Sequence, residues 1–341
     1  MLPQLLSVTA GRDAWMSALL GTVLELGVLF IALTALTLNK DKDIYSALRS
    51  KTTWVGAKVI ITGMLFIFIV QLFILISQAY YLLSDNMFEH VNVYYFAIPM
   101  LLLGIFFCFL PARAIFRSGE IFFVFIIIGV ALSVFPAITQ INAKEVLPMF
   151  YNGAAPVFNS FYLNIIFFES AFLLLMFSGD IKIEKHFRKK FMTTATFVGL
   201  FFVFFVFMFY ALFGPLAPMR DLAISNLTIY SSYITENGRI DWVLVTIWLL
   251  LLLLRFGITF YCAFMCLRYL THVKHRASFL AIPLALVVYF LSVFVFTSQR
   301  HLNSFIHAVP WLIVVLYIII PVIILISSLL VYKKKGAKRH V

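Results

Sequence analysis

Apolar positions in this chain run on without the alternation of a strand. Nine stretches stand out, at residues 15–38, 56–83, 93–110, 121–138, 156–178, 191–214, 242–270, 278–297 and 310–332, separated by polar loops. A helix rises 1.5 Å per residue, so about 20 apolar residues cross a hydrocarbon core ~30 Å thick. Runs such as FLLLMF and WLLLLLL lack the alternation of ~10-residue barrel strands. The pattern predicts an all-α polytopic membrane protein, a single transmembrane domain over residues 1–341 with no soluble domain.

Composition agrees: 63% of residues are hydrophobic and 12% charged, far from the balance of soluble domains. The net charge of +12 does not indicate nucleic acid, because the basic residues sit in short blocks between apolar runs, where lipid headgroups and topology account for them. Alternate loops hold 20 of the 26 lysines and arginines, the opposite set holds 5, and Arg255 lies inside a span. The positive-inside rule then predicts a cytoplasmic C-terminus, and an odd number of spans an external Met1. The first span is too long for a signal-peptide core and lacks a basic leader, so it is expected to remain in the mature protein. The polar segment at 217–241 carries a chance-level sequon at Asn226 and a turn signal at Asn237–Gly238.

Chemistry-bearing motifs are scarce. Cys108, Cys262 and Cys266 fall within spans and read as small packing residues, neither a disulfide framework nor a metal pair. No HExxH, no GxSxG and no pair of aspartates within spans is present, and His301 and His307 read as solvated or headgroup-facing. The expectation is a protein that is not an enzyme and uses no cofactor or metal.

Apart from Lys58 and Arg268 at span ends, three charges lie within the spans: Glu25, Glu169 and Arg255. An ionised side chain at mid-bilayer costs roughly 2.5–3.5 kcal/mol on insertion scales, so each needs a partner or a function. Ala18, Gly21, Thr22, Glu25 and Ala32 share roughly one helical face, a small-residue stripe suited to close packing. Glu25 fits either a packing glutamate hydrogen-bonded across helices or a proton-relay group. Trp248, Arg255, Thr259, Cys262 and Cys266 recur at spacings of seven, four, three and four, which defines an inward face.

Glu169 stands in NIIFFESAFLLLMF, residues 164–177, with Tyr162 one face-repeat before it if the helix is continuous. Continuity is not expected. The preceding LPMFYNGAAPVFNSFYLN carries Gly153, Pro156, Asn159, Ser160 and Asn164, a poor start for an unbroken membrane helix. Irregular backbone at membrane depth must be satisfied by protein or a wet cavity. Two half-helices flanking a break are therefore predicted, an arrangement by which transporters bind small charged substrates. Gln71 and Gln78, seven apart, are candidates to add hydrogen-bonding groups to the same cavity, whereas Tyr80 and Tyr81 read as interface aromatics.

Three stretches resemble a known family. LPQLLSVTAGRDAWMSALLG at 2–21 resembles a proline-bearing helix end followed by an AGxDAW-like turn; YNGAAPVFNSFYLNIIFFES at 151–170 and GRIDWVLVTIWLLLLLLRFGITFY at 238–261 resemble a sixth and an eighth helix with a glutamate and a basic residue in place. The family is that of the B subunits of spore germinant receptors, within the amino acid, polyamine and organocation transporter superfamily. The resemblance implies a leucine-transporter-like inverted-repeat bundle of ten helices, of which these nine spans correspond to the second to tenth. The chain begins at the tail of the family's first helix, and upstream in-frame sequence is expected to encode about 20 further apolar residues.

The same resemblance implies recognition of a small amino acid such as alanine, A and C receptor subunits as partners, and the spore inner membrane as location. Ligand-binding residues are expected at Glu169, Asn164, Tyr162 and Arg255, with Glu25 a possible proton or packing site. The alternatives are a proton-coupled amino acid permease in which Glu169 or Glu25 cycles protons, and a structural subunit without ligand binding.

The charge bias makes a direct prediction. Cysteines placed within residues 179–190 should resist membrane-impermeant thiol reagents in intact cells, and cysteines placed within 84–92 should react; the opposite pattern inverts the topology.

Overall fold

The computed structural model describes residues 2–337 except 40–42, 50–52, 87–91, 139, 166, 182, 185, 220–239, 274–276 and 297–298. The Asn226 sequon and the Asn237–Gly238 turn lie outside the described residues, as do the side chains of His301 and His307. The described elements are helical: α1 (Leu2–Ala10), α2 (Ala14–Asn39), α3 (Ile44–Arg49), α4 (Trp54–Asn86), α5 (Tyr94–Phe107), α6 (Ala112–Ile138), α7 (Ala155–Ile165), α8 (Ser170–Met176), α9 (Phe187–Phe213), α10 (Ile240–Thr271), α11 (Ala281–Phe296) and α12 (Gln299–Ala337), with short 3-10 turns between some of them. Among these residues seven helical stretches are long and apolar enough to cross a membrane, and two shorter apolar helices lie at Tyr94–Phe107 and Ser278–Phe294. The protein is an all-α polytopic membrane protein.

Lipid offers no hydrophobic drive for helices to associate, so close packing and interhelical hydrogen bonds hold the bundle. α10 lies against α4, α5 and α6, while α2 runs between α7, α9 and α12. The principal core joins these groups through fully buried Phe68, Phe73, Phe172, Phe256, Phe260 and Tyr317. Large apolar side chains that remain exposed, such as Ile121, Phe123 and Phe135 on α6, are compatible with a lipid solvent.

The corner between α1 and α2 shapes the approach to α7. Gly11 turns the chain with φ +58°, a conformation glycine adopts without a Cβ clash. Arg12 Nη1 then donates to Leu147 O at 2.5 Å and its guanidinium covers the Tyr151 ring at 4.8 Å, while Phe150 N donates to Asp13 Oδ1 at 3.0 Å. Asp13 is buried, so this loop-to-corner bond is shielded from water. The GRDAW segment thus pins the strand of chain that feeds the first half of the broken helix. Ser17 on α2 continues the seam, donating to Val157 O at 3.0 Å and hydrogen-bonding Ser160.

The α5–α10 contact depends on reciprocal glycines. A Cβ on Gly104 would stand 2.6 Å from Phe260 Cγ, and one on Gly257 would stand 2.8 Å from three atoms of the Phe107 ring. Each glycine forms the floor on which the other helix's phenylalanine lies. Gly104→Ala and Gly257→Ala should each destabilise the protein by about 1–3 kcal/mol through overpacking, read as a lowered unfolding temperature in detergent. Gly119→Ala, where a Cβ meets nothing within 4 Å, should not.

Candidate functional site

The membrane helix over residues 155–176 is broken. α7 closes with Phe167 N donating to Asn164 O and Phe168 N to Ile165 O, each at 3.0 Å, and α8 restarts at Ser170 with the amides of Phe172 and Leu173 bonded to Glu169 O. The break frees the carbonyls of Phe167 and Phe168 from the helical ladder. At membrane depth such groups cost several kcal/mol if unpaired. Both are met by side chains from other helices: Arg255 Nη2 donates to Phe167 O at 2.9 Å, and buried Gln71 Nε2 donates to Phe168 O at 3.3 Å.

Arg255 performs a second task. Its Nε donates to Glu169 Oε1 at 2.6 Å, and Thr259 Oγ1 donates to Glu169 Oε2 at 3.1 Å. Arg255 and Thr259 are one turn apart on α10, so both meet the carboxylate from one face. Glu169 is 4% exposed and the Arg255 side chain 35%, which leaves part of the guanidinium open. The N-cap position of α8 falls on Glu169, yet its side chain makes no capping bond, because the α10 partners hold it.

The next residue faces the other way. Ser170 Oγ donates to Glu25 Oε1 on α2, and Tyr317 Oη on α12 donates to Glu25 Oε2 at 2.5 Å. The Ala171 amide in turn donates to Tyr317 Oη at 3.5 Å. The Glu169–Ser170 step is therefore held between two carboxylate clusters, one reaching α10 and one reaching α2 and α12. Sequence reasoning identified Thr259 as inward but missed Ser170 and Tyr317. The available signal was a tyrosine hydroxyl in the middle of VVLYIIIPV, far from either interface belt.

A cavity of about 770 Å³ opens beside the break, walled by α2, α4, α6, α9 and α10. Glu25, Ser170, Arg255, Gln78 and Trp248 line it. Glu169 is buried and reaches this space through Arg255. Asn164 and Tyr162 stand off the cavity wall. Asn164 Nδ2 donates to Ser17 O at 3.0 Å and to Phe161 O at 3.1 Å, and its side chain lies where a Cβ on Gly21 would be, 2.8 Å away. Tyr162 stacks on Trp311 with ring centroids 4.8 Å apart. The break removes the continuous face that relates Tyr162 to Glu169 by helical spacing. Tyr80 packs edge-on against Tyr81 and Phe96.

Removing one member of a buried ion pair strands the other, typically at 3–5 kcal/mol, whereas removing both leaves no orphaned charge. Glu169→Gln, Arg255→Gln and the double substitution should therefore be non-additive in unfolding free energy, with a coupling above about 1 kcal/mol; losses additive within ~0.5 kcal/mol would show the pair to be energetically independent.

Comparison with curated proteins finds no match to the chain. A protein-family profile described as spore germination protein matches residues 1–301, most of its length. With the helical membrane architecture, this places the chain in the spore germination protein family.

Proposed function

We propose that this protein is the membrane subunit of a spore germinant receptor and that it recognises a small amino acid at the broken helix. The observation that carries the reading is the placement of Arg255 and Glu25, of opposite charge, on the wall of one cavity beside freed backbone at membrane depth. A zwitterion needs both signs within a shielded space, where charge-assisted bonds are strongest. Glu169 acts by fixing Arg255, and Asn164 and Tyr162 support the α7 half of the break from behind. A and C receptor subunits are the expected partners, in the spore inner membrane with the C-terminal end in the cytoplasm.

One observation favours a second reading, a proton-coupled amino acid permease. Glu25 contacts two hydroxyls and, among the described residues, no basic side chain pairs with it, which suits a carboxylate that exchanges a proton. The two readings part experimentally. In spores carrying Arg255→Gln at unchanged protein level, the amino acid concentration for half-maximal germination should rise at least tenfold, and purified protein in proteoliposomes should show no sustained uptake of labelled amino acid. Uptake driven by an imposed pH gradient would establish the permease instead; normal germination sensitivity in the Arg255→Gln spores would remove the site.

A further inference from the structure

Two basic residues stand just inside the ends of membrane helices, Lys58 one turn into α4 and Arg268 one turn before the end of α10. Among the described residues neither pairs with a carboxylate. A lysine so placed can reach water along its alkyl chain. Here the ammonium is held: Lys58 Nζ lies 3.9 Å from the centroid of the Trp54 ring, a cation–π contact at the first residue of α4.

The two helix ends meet through a cluster of rings. His272, just past α10, stacks on Trp54 at 17° with centroids 6.4 Å apart, and Tyr45 Oη on α3 lies 3.3 and 3.4 Å from its two ring nitrogens. Tyr45 in turn stacks on Tyr269 with centroids 5.0 Å apart. The cluster holds His272 at φ +56°, left-handed backbone that a residue with a side chain keeps only where its surroundings fix it. Lys58 and His272 thus share the Trp54 platform, and Arg268 lies one turn before His272. Asp43, which leads into α3, is turned to Ser46 and Tyr269 and neutralises neither cation.

An apolar track leads from this corner toward the membrane centre. Val55, Val59, Thr62 and Phe66 are exposed on α4 at spacings of four, three and four, with the Thr62 hydroxyl donating to Lys58 O at 2.9 Å. Lys58 is three residues from Val55 and four from Thr62, so the ammonium stands at the head of the track. A fixed cation over an apolar groove at the membrane boundary matches a molecule with an anionic head and a hydrocarbon tail.

We propose that this corner of α3, α4 and α10 binds an anionic phospholipid, its phosphate on the Lys58 ammonium with Arg268 and the His272 ring beside it, and an acyl chain along Val55, Val59 and Phe66. The loop charge bias predicts this end to be cytoplasmic, where basic pockets between helices suit anionic headgroups. A zwitterionic headgroup carries its own cation and matches an unpaired ammonium less well. Because α10 also carries Arg255, a lipid fixed here braces the helix that holds Glu169.

The test uses the full chain purified in neutral detergent, with bound lipid counted by native mass spectrometry and the unfolding temperature followed as phosphatidylglycerol, or phosphatidylcholine with the same acyl chains, is added. Phosphatidylglycerol should bind at least about fivefold more tightly than phosphatidylcholine, the worth of one basic residue at a charged surface, and should raise the unfolding temperature more. Lys58→Gln should remove that preference, and Arg268→Gln should reduce it; Arg268 is exposed, which keeps the test decisive should Lys58→Gln fail to fold. Lys189→Gln removes an exposed charge at the same end but outside the corner, and should change neither readout. Equal binding of the two lipids, or an equal loss in Lys189→Gln, would overturn the site and leave only general attraction between charges. Displacement of phosphatidylglycerol by glycerol 1-phosphate would identify a soluble phosphate as the ligand and overturn the lipid assignment.

Discussion

The bundle depends on how a membrane protein satisfies the backbone of a helix that stops halfway. Two carbonyls, of Phe167 and Phe168, leave the helical ladder where water is scarce, and one arginine and one glutamine on other helices accept the task. Arg255 could not be held at that depth by a carbonyl alone. The Glu169 carboxylate lies one step beyond the break, and Thr259 takes its second oxygen. Break, cation and anion are mutually required: without the break there is no free carbonyl for the guanidinium, and without the guanidinium the glutamate is an unpaired buried charge.

The same constraint organises the helices around the site. Because Glu169 and Ser170 point to opposite clusters, α8 is tied to α10 on one side and to α2 and α12 on the other. α7 is tied separately, through Ser17, Ser160 and Asn164 to α2, with Gly21 allowing the close approach. The Arg12–Asp13 corner holds the chain that leads into it. Both halves of the broken helix thus rest on α2 and α12, Tyr162 of α7 stacking on Trp311, and the Glu169 end adds the tie to α10. Under the proposed reading, a ligand that touched both Arg255 and Glu25 would bear on both clusters at once, and so on the helices that carry them.

Much of the candidate site could be read from residues. Glu169, Arg255 and Glu25 were conspicuous because charge in a lipid-soluble run is costly. Gly153, Pro156 and Asn164 in the stretch before Glu169 led to the expectation of a broken helix, but Pro156 and Asn164 lie within continuous α7 and the break falls after it, before Ser170. The partners were less legible. Tyr317, Ser170 and Gln71 are ordinary residues whose roles arise only from facing a carboxylate or a freed carbonyl across a helix boundary. Tyr162 shows the converse: helical spacing relates it to Glu169, but spacing has no meaning across a break, and its ring stacks on Trp311.

The sequence by itself determined the solvent, because run length and composition decide whether a helix prefers hydrocarbon to water. It also determined the need for an interior polar network, because three charges within apolar spans cannot face lipid without large cost. Only the tertiary structure decided which charges meet. Glu169 and Arg255 are 86 positions apart, and Glu25 and Tyr317 are 292 apart, so their pairing follows from how helices cross and not from any local periodicity. The cavity is likewise a product of packing: residues of α2, α4, α6, α9 and α10, far apart in the chain, meet around it.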